Sequence, residues 1–435
     1  MKVVNPVNPV KPVMSVIPVM PAMPLALRSG PACGSMQRMN IMTLAGRRGC
    51  VMPRALSARV AFLVRSAVRA RSAAVVLGAA LSVLPAMAAT GADVKPVTVA
   101  RGLAQPWALA FLPDGRMLVT ERPGRMRIVT PDGRLSDPLN GLPPVDFKGQ
   151  CGLLDVAVDP KFAENRWVYW TYAEAGEGGN GVAVARGRLQ ERQLADVQVI
   201  FRQLPKVDSS LHCGSRLAFA RDGRLFVGLG DRFGRKDDAQ NPANHLGKIV
   251  RIEPDGRVPA DNPLSGRAGA APEVFSLGHR NIQGLTVHPT TGELWETEHG
   301  PQGGDELNVI EAGRNYGWPL VTYGRNYGIG TRIGEEGPKP GFEQPLQWWV
   351  PVSIAPSGLA FVTSDRYPGW KGSLLVGALR AQVLVRLTLD GRKVVAQEQL
   401  LAPLQKRIRD VRQGPDGWIY LLTDGPEGQV LRLER

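Results

Sequence analysis

The stretch "SRLAFARDGRLFVGLGDR", residues 215–232, holds a short apolar strand, a tight Arg-Asp-Gly turn and a second apolar strand. That order is a hairpin signal, because Asp and Gly tolerate turn geometry and the alternating apolar residues suit a pleated surface. The same unit recurs as "PWALAFLPDGRMLVTER" from Pro106, "GLLDVAVDPKFAENRWVYWTY" from Gly152 and "QGLTVHPTTGELWETEHG" from Gln283. Two further copies are "SGLAFVTSDRYPGWKGSLLVGAL" from Ser357 and "IRDVRQGPDGWIYLLTD" from Ile408. The copies fall at uneven intervals of roughly 45 to 75 residues, the shorter ones typical of propeller blades. No stretch keeps a helical period. One hairpin cannot bury both faces, but hairpins widened into blades and packed radially can. Six copies therefore predict an all-β, six-bladed β-propeller. The strand-like "VKPVTVA" near residue 94 and "GQVLRLE" at residues 428–434 are placed to pair and close the ring. A stack of separate β-sandwiches would not need one repeating hairpin.

The formal charge of +14 on 435 residues suggests nucleic acid only until its distribution is read. Residues 1–90 hold eleven Lys and Arg and no acidic residue, whereas the remainder carries 42 basic against 39 acidic residues. No nucleic-acid motif accompanies the basic leader. Arg54, Arg59, Arg65, Arg69 and Arg71 precede the apolar run "AAVVLGAALSVLPAMA", which closes on Ala86-Met87-Ala88. This is signal-peptide anatomy, and the run falls short of the roughly 20 residues of a stable membrane span. The expected organisation is a leader over residues 1–88, its upstream part in doubt as translated sequence, and a propeller over 89–435. The mature protein is then periplasmic or secreted.

Propellers place function in the loops and strand ends around the central channel. Polar groups precede the inner strand in copy after copy: "KGQCG", "LHCGS", "SLGHRNIQG" and "KRIRD", with "EHGPQGGDELNVIEAGRNYGWP" after the fourth copy. Equivalent positions on different blades face one axis, so these residues are expected to converge.

These motifs, in this order, resemble the soluble PQQ-dependent aldose sugar dehydrogenases (the glucose/sorbosone dehydrogenase-like family), from about Trp107 to the C-terminus. The resemblance implies oxidation of an aldose C1 hydroxyl to a lactone, with pyrroloquinoline quinone (PQQ) as hydride acceptor and an external acceptor taking the electrons. Such a reaction needs a base for the hydroxyl proton, and neutral imidazole suits that role near pH 7. By resemblance the base is His212, with Arg280 near the reacting carbonyl. Alone, His212 reads more readily as a satisfied histidine capping a strand end; the motif context reverses that.

PQQ is a planar tricarboxylate, and guanidinium forks match carboxylates. Arg280, Arg407 and Arg409 suit it, the last two alternating on one strand and so sharing a face. The resemblance adds Gln150, Asn281 and Tyr327. Arg380 falls where a lysine is expected, keeping charge but not shape. Calcium is implied at the carbonyls of Gly300 and Pro301, and a second ion at Glu306 and the main chain of Tyr316. Without the resemblance, "GPQGGDELN" is a Gly-rich acidic turn, and "KRIRD" a basic edge strand. The expected partners are an aldose and an electron acceptor, with no nucleic acid and a monomeric or homodimeric chain.

Cys33 and Cys50 lie in the leader, and Cys151 and Cys213 directly follow Gln150 and His212. Convergence of those neighbours raises a Cys151–Cys213 disulfide, permitted in an exported chain; two small buried hydrophobes are the alternative. His245, His279, His288 and His299 form no zinc-like spacing with cysteines. No G-x-S-x-G elbow or dinucleotide fingerprint appears. Trp348-Trp349 reads as a sugar-stacking lip or as blade packing. Two other classes compete: a calcium-dependent lactonase-type propeller, which needs a carboxylate-rich channel, and a binding propeller without catalysis.

Overall fold

The computed structural model describes residues 94–435; the leader, its cleavage pattern, Cys33 and Cys50 lie outside the described residues. Six antiparallel sheets are arranged around one axis, as the repeat predicts. Their inner strands are Pro106–Phe111, Leu153–Val158, Gly214–Phe219, Ile282–Val287, Pro356–Phe361 and Ile408–Gln413. Each pairs with the second strand of its repeat, across the turn read from the sequence. Five sheets have four strands, and the first has three. The outermost strand of the sixth blade is Lys95–Leu103, which pairs antiparallel with Gly428–Glu434. The first and last strands of the described residues thus share one sheet and close the ring.

Apolar side chains fill the spaces between blades. Trp170, Trp295 and Trp370 are among the largest buried groups. The central channel is different, because inner-strand side chains that point to the axis meet one another. Arg216 lies 3.0 Å from Asp410 and 3.4 Å from Asp155, and Arg412 reaches both carboxylates at 3.1 Å. Buried charges persist only when paired and hydrogen-bonded. Here Asp155 also accepts the N–H of Leu217, Asp410 accepts that of Leu109, and Arg216 donates to the carbonyls of Gln283 and Arg409. With these partners the four-residue plug ties five blades together, all but the fifth. Channel cavities lie at its two ends, one lined by Trp107, Gln150 and Arg409, the other by Phe111, Phe219 and Gln413.

Among the described residues no helix is long and apolar enough to cross a membrane.

Candidate active site

The polar cavity, of about 370 Å³, is lined by Gln150, Asn281, Arg407 and Arg409, four of the residues singled out from the sequence. Trp107, Arg122, Gln283, His299 and Asp424 complete most of its wall. Arg407 and Arg409 do share a face: Asp424 accepts from Arg407 at 2.8 Å and stands 3.4 Å from Arg409. Burial favours the neutral acid at Asp424, but the Arg409 and Arg407 charges outweigh it and hold the group below the usual carboxylate range. Burial pushes the Arg409 guanidinium down to about 10, still charged at neutral pH.

His212 sits in the tight turn before the third inner strand, with φ of 48°. A non-glycine residue in the left-handed region is held there by its surroundings. The Gln150 side chain accepts the His212 N–H at 2.9 Å, while the Gln150 N–H bonds the Ser210 carbonyl at 2.8 Å. Gly230 admits the close approach, since a Cβ there would meet the His212 carbonyl oxygen at 2.0 Å. The disulfide of Cys151 and Cys213, with Cα atoms 5.8 Å apart, joins the same two loops. The pairing raised from the sequence is therefore present, with Cys213 on the cavity wall.

His212 Nδ1 lies 2.7 Å from Asp231 Oδ1. Asp231 also accepts the Phe233 N–H and the Trp318 indole N–H, both at 2.8 Å. Burial works against ionising this aspartate, but the His212 bond and the Arg280 charge hold its carboxyl below the usual range. An ionised acceptor puts the proton of the neutral ring on Nδ1 and leaves the lone pair on Nε2. Burial depresses the imidazole below its ordinary 6.5; the Asp231 bond opposes that and the Arg280 charge adds to it. His212 is thus neutral at pH 7.

Arg280 is buried beside this pair. It donates to the carbonyls of His299 and Gly300 at 2.9 and 2.6 Å, reaches the Tyr327 hydroxyl at 3.3 Å, and lies over the Trp318 ring. Asn281 accepts the Gly214 N–H, which fixes the turn that carries His212. Tyr327 itself is well exposed. Arg380 is not on this cavity: its side chain lines a neighbouring groove with Trp348, Val350 and Val352. Trp348 stacks on Tyr323 there, whereas Trp349 is buried in blade packing.

The donor chemistry fits a polycarboxylate. Arg122 and Arg409 line the cavity, and each keeps a buried Nε without a partner. Unspent guanidinium donors beside Gln150 and Asn281 are what several carboxylates need. The proposed ion positions fit less evenly. Gly300, Glu306 and Tyr316 line one small cavity with Glu298, and burial together with the Glu298 charge drives the Glu306 carboxyl well above the usual range. A hard cation among these oxygens would offset that burial. Pro301 does not line this cavity, and the Gly300 carbonyl already accepts from Arg280.

Asp231, Trp318 and His299 are functional neighbours that sequence reasoning missed. Burial pushes the His299 imidazole down to about 3, and its Nε2 bonds the Pro356 carbonyl at 2.7 Å.

A six-bladed propeller with a neutral His–Asp pair beside an arginine-lined cavity sets a base next to anion-binding donors, unlike a carboxylate-rich hydrolytic channel. The chain belongs to the glucose/sorbosone dehydrogenase family, whose sequence pattern matches residues 103–432. It is 43% identical over 337 residues to the aldose sugar dehydrogenase YliI of Escherichia coli (strain K12), covering 76% of this chain and 90% of that one. A solved glucose dehydrogenase superposes with a TM-score of 0.76 at 49% identity, over 78% of this chain and 99% of the other. The PQQ-bound aldose sugar dehydrogenase from Streptomyces coelicolor gives 0.66 at 32% identity, over 79% and 98%. Membership supports sugar oxidation as the activity.

Proposed function

We propose that this chain is an exported quinoprotein that oxidises the C1 hydroxyl of aldoses to lactones, using PQQ and calcium and passing electrons to an external acceptor. The observation that carries the reading is the neutral His212–Asp231 pair next to a cavity with unpartnered guanidinium nitrogens. The PQQ-bound relative supports the cofactor assignment.

PQQ, when bound, supplies the acceptor for the hydride leaving C1. Arg122, Arg407 and Arg409 would hold its carboxylates, with Gln150 and Asn281 beside them. His212 takes the hydroxyl proton at Nε2, so the sugar loses a proton and a hydride together, a two-electron oxidation. Asp231 keeps Nδ1–H engaged, which orients the ring and stabilises the imidazolium as it forms. Arg280, fixed over the Trp318 ring, would offer a positive charge to the bound acceptor as it takes up the hydride. Calcium would sit at the carbonyls of Gly300 and Pro301, and a second ion at Glu306 and the main chain of Tyr316. The basic leader and the Cys151–Cys213 disulfide support export to the periplasm or beyond.

The lactonase alternative finds no support in the cavity, whose lining carboxylate, Asp424, is tied to two arginines. The test is reconstitution: protein purified without cofactor is given PQQ and calcium, and dye reduction is followed across aldoses and other alcohols. PQQ-dependent aldose oxidation that disappears in His212→Ala is the expected result. Folded protein that binds no PQQ would return the chain to a non-catalytic binding propeller.

A further inference from the structure

The third strand of the fourth blade, Asp305–Ile310, pairs with Leu294–Glu298 so that Glu298 faces Glu306 and Glu296 faces Asn308. Alternation puts all four side chains on one side of the sheet, where His279 stacks on Tyr316. His279 and Glu296 are fully buried, and Glu298 is only 3% exposed. Among the described residues, no Lys or Arg lies within ion-pair distance of Glu296 or Glu298, and the one basic group there is the His279 imidazole.

The hydrogen bonds leave this group unfinished. His279 Nε2 is 2.9 Å from Ser276 Oγ, yet Nδ1 is buried without a partner. Glu298 Oε2 accepts the N–H groups of Arg280 and Asn281, which leaves Oε1 turned to the imidazole. Glu296 takes one bond from Asn308, while its Oε2 and Asn308 Oδ1 have none. Nδ1 stands 3.5 Å from Glu298 Oε1 and 4.0 Å from Glu296 Oε1. A shared proton would draw N and O to about 2.8 Å. Donors of one ion bound at about 2.0–2.2 Å instead stand up to roughly 4.2 Å apart. The three donor atoms lie within 4.8 Å of one another, so a small side-chain shift would bring all three onto one ion.

We propose that His279 Nδ1, Glu296 and Glu298 bind a divalent transition-metal ion of the zinc type. An imidazole in the donor set favours such an ion over calcium, which prefers oxygen alone. Ser276 fixes the ring so that Nδ1 is the ligating nitrogen, and Asn308 orients Glu296. Through Glu298 the ion braces the backbone of Arg280 and Asn281, and so the wall of the active site. The site shares only Glu298 with the small cavity lined by Gly300, Glu306 and Tyr316, and it does not depend on PQQ.

The test uses the full chain, stripped with chelator, dialysed, and titrated with zinc chloride in excess calcium chloride, with bound metal measured by elemental analysis. One zinc per chain is expected in wild type, with affinity lowered more than about 100-fold in His279→Gln and in Glu296→Gln. X-ray absorption of the zinc-loaded wild type should show one imidazole nitrogen with carboxylate oxygens at about 2.0–2.2 Å. This spectrum decides the matter even where a variant fails to fold. Folded wild type that keeps no zinc, equal retention by both folded variants, displacement by calcium, or a shell with sulfur or without imidazole would each overturn the assignment.

Discussion

His212 and Asp231 stand on the two arms of one hairpin, with Nδ1 and Oδ1 2.7 Å apart and Asp231 held from its other side by the Trp318 indole. The base is therefore aimed from within its own blade. Trp318 comes from the loop region after the fourth blade's third strand and also carries the guanidinium of Arg280 on its face. One indole thus registers the base against the positive charge, and the pair can be probed from either side.

Asp231→Asn should lower kcat by two to four orders of magnitude, on the scale of about 10²–10⁴ for general-base assistance. It should also move the acid limb of the pH–rate profile. Asp231 raises the His212 pKa, so its loss shifts that limb to lower pH. Arg280 depresses the same group, so Arg280→Gln should shift the limb upward while also slowing the reaction. Limbs moving the same way in both variants would show that His212 is not the titrating base.

The stability of the fold should carry a second pH signature, from His299. Its folded pKa is about 3 against an ordinary 6.5. Between those values the unfolded chain binds the proton and the folded chain does not, so stability rises with pH and is lost as pH falls from 6.5 towards 3. The full contribution is roughly 4–5 kcal/mol at about 1.4 kcal/mol per pKa unit. His299→Gln can keep a donor for the Pro356 carbonyl, so denaturant melts at pH 7 and pH 4 should differ less in the variant than in wild type. An unchanged difference would place the acid sensitivity elsewhere.

The scaffold was legible because each hairpin declares itself locally, through turn residues flanked by apolar strands. Closure by the two terminal strands was legible for the same reason. Convergence of Gln150, Asn281, Arg407 and Arg409 followed from equivalent positions on a ring. Asp231 was missed although it is the next-to-last residue of the quoted repeat, since a lone acid after a strand reads as a turn residue. Its signal lay in the register: continuing the pairing two residues past Leu229↔Gly214 sets Asp231 opposite His212. Trp318 and His299 had no such local signal, because their roles depend on contacts across blades. Arg380 borders the adjoining groove with Trp348 and Val350, a placement that its strand-end position did not disclose.

The disulfide yields a direct test. Digestion of unreduced protein should release one peptide pair containing both Cys151 and Cys213, separable only by reductant. Replacing both by serine should cost about 2–4 kcal/mol, given the 62-residue separation of the two cysteines. It should also weaken cofactor retention, since the bridge joins the Gln150 loop to the His212 turn. Separate peptides from folded, unreduced protein would rule the bridge out.

The ion network in the channel sets a last expectation. Asp155 pairs with Arg216 and Arg412 and accepts the N–H groups of Val156 and Leu217. Asp155→Ala leaves Arg216 with Asp410 alone and orphans two backbone donors at the axis. Removing one partner of a buried charge network typically costs about 3–5 kcal/mol, more than any exposed pair is worth. Arg134→Ala, which breaks an exposed pair with Asp132, should change stability by less than about 1 kcal/mol. Urea melts of the two variants decide it, for equal midpoints would mean that the plug contributes no more than the surface does. A shift confined to Asp155→Ala would show that the charges beneath the cavity hold the blades in the register on which the site depends.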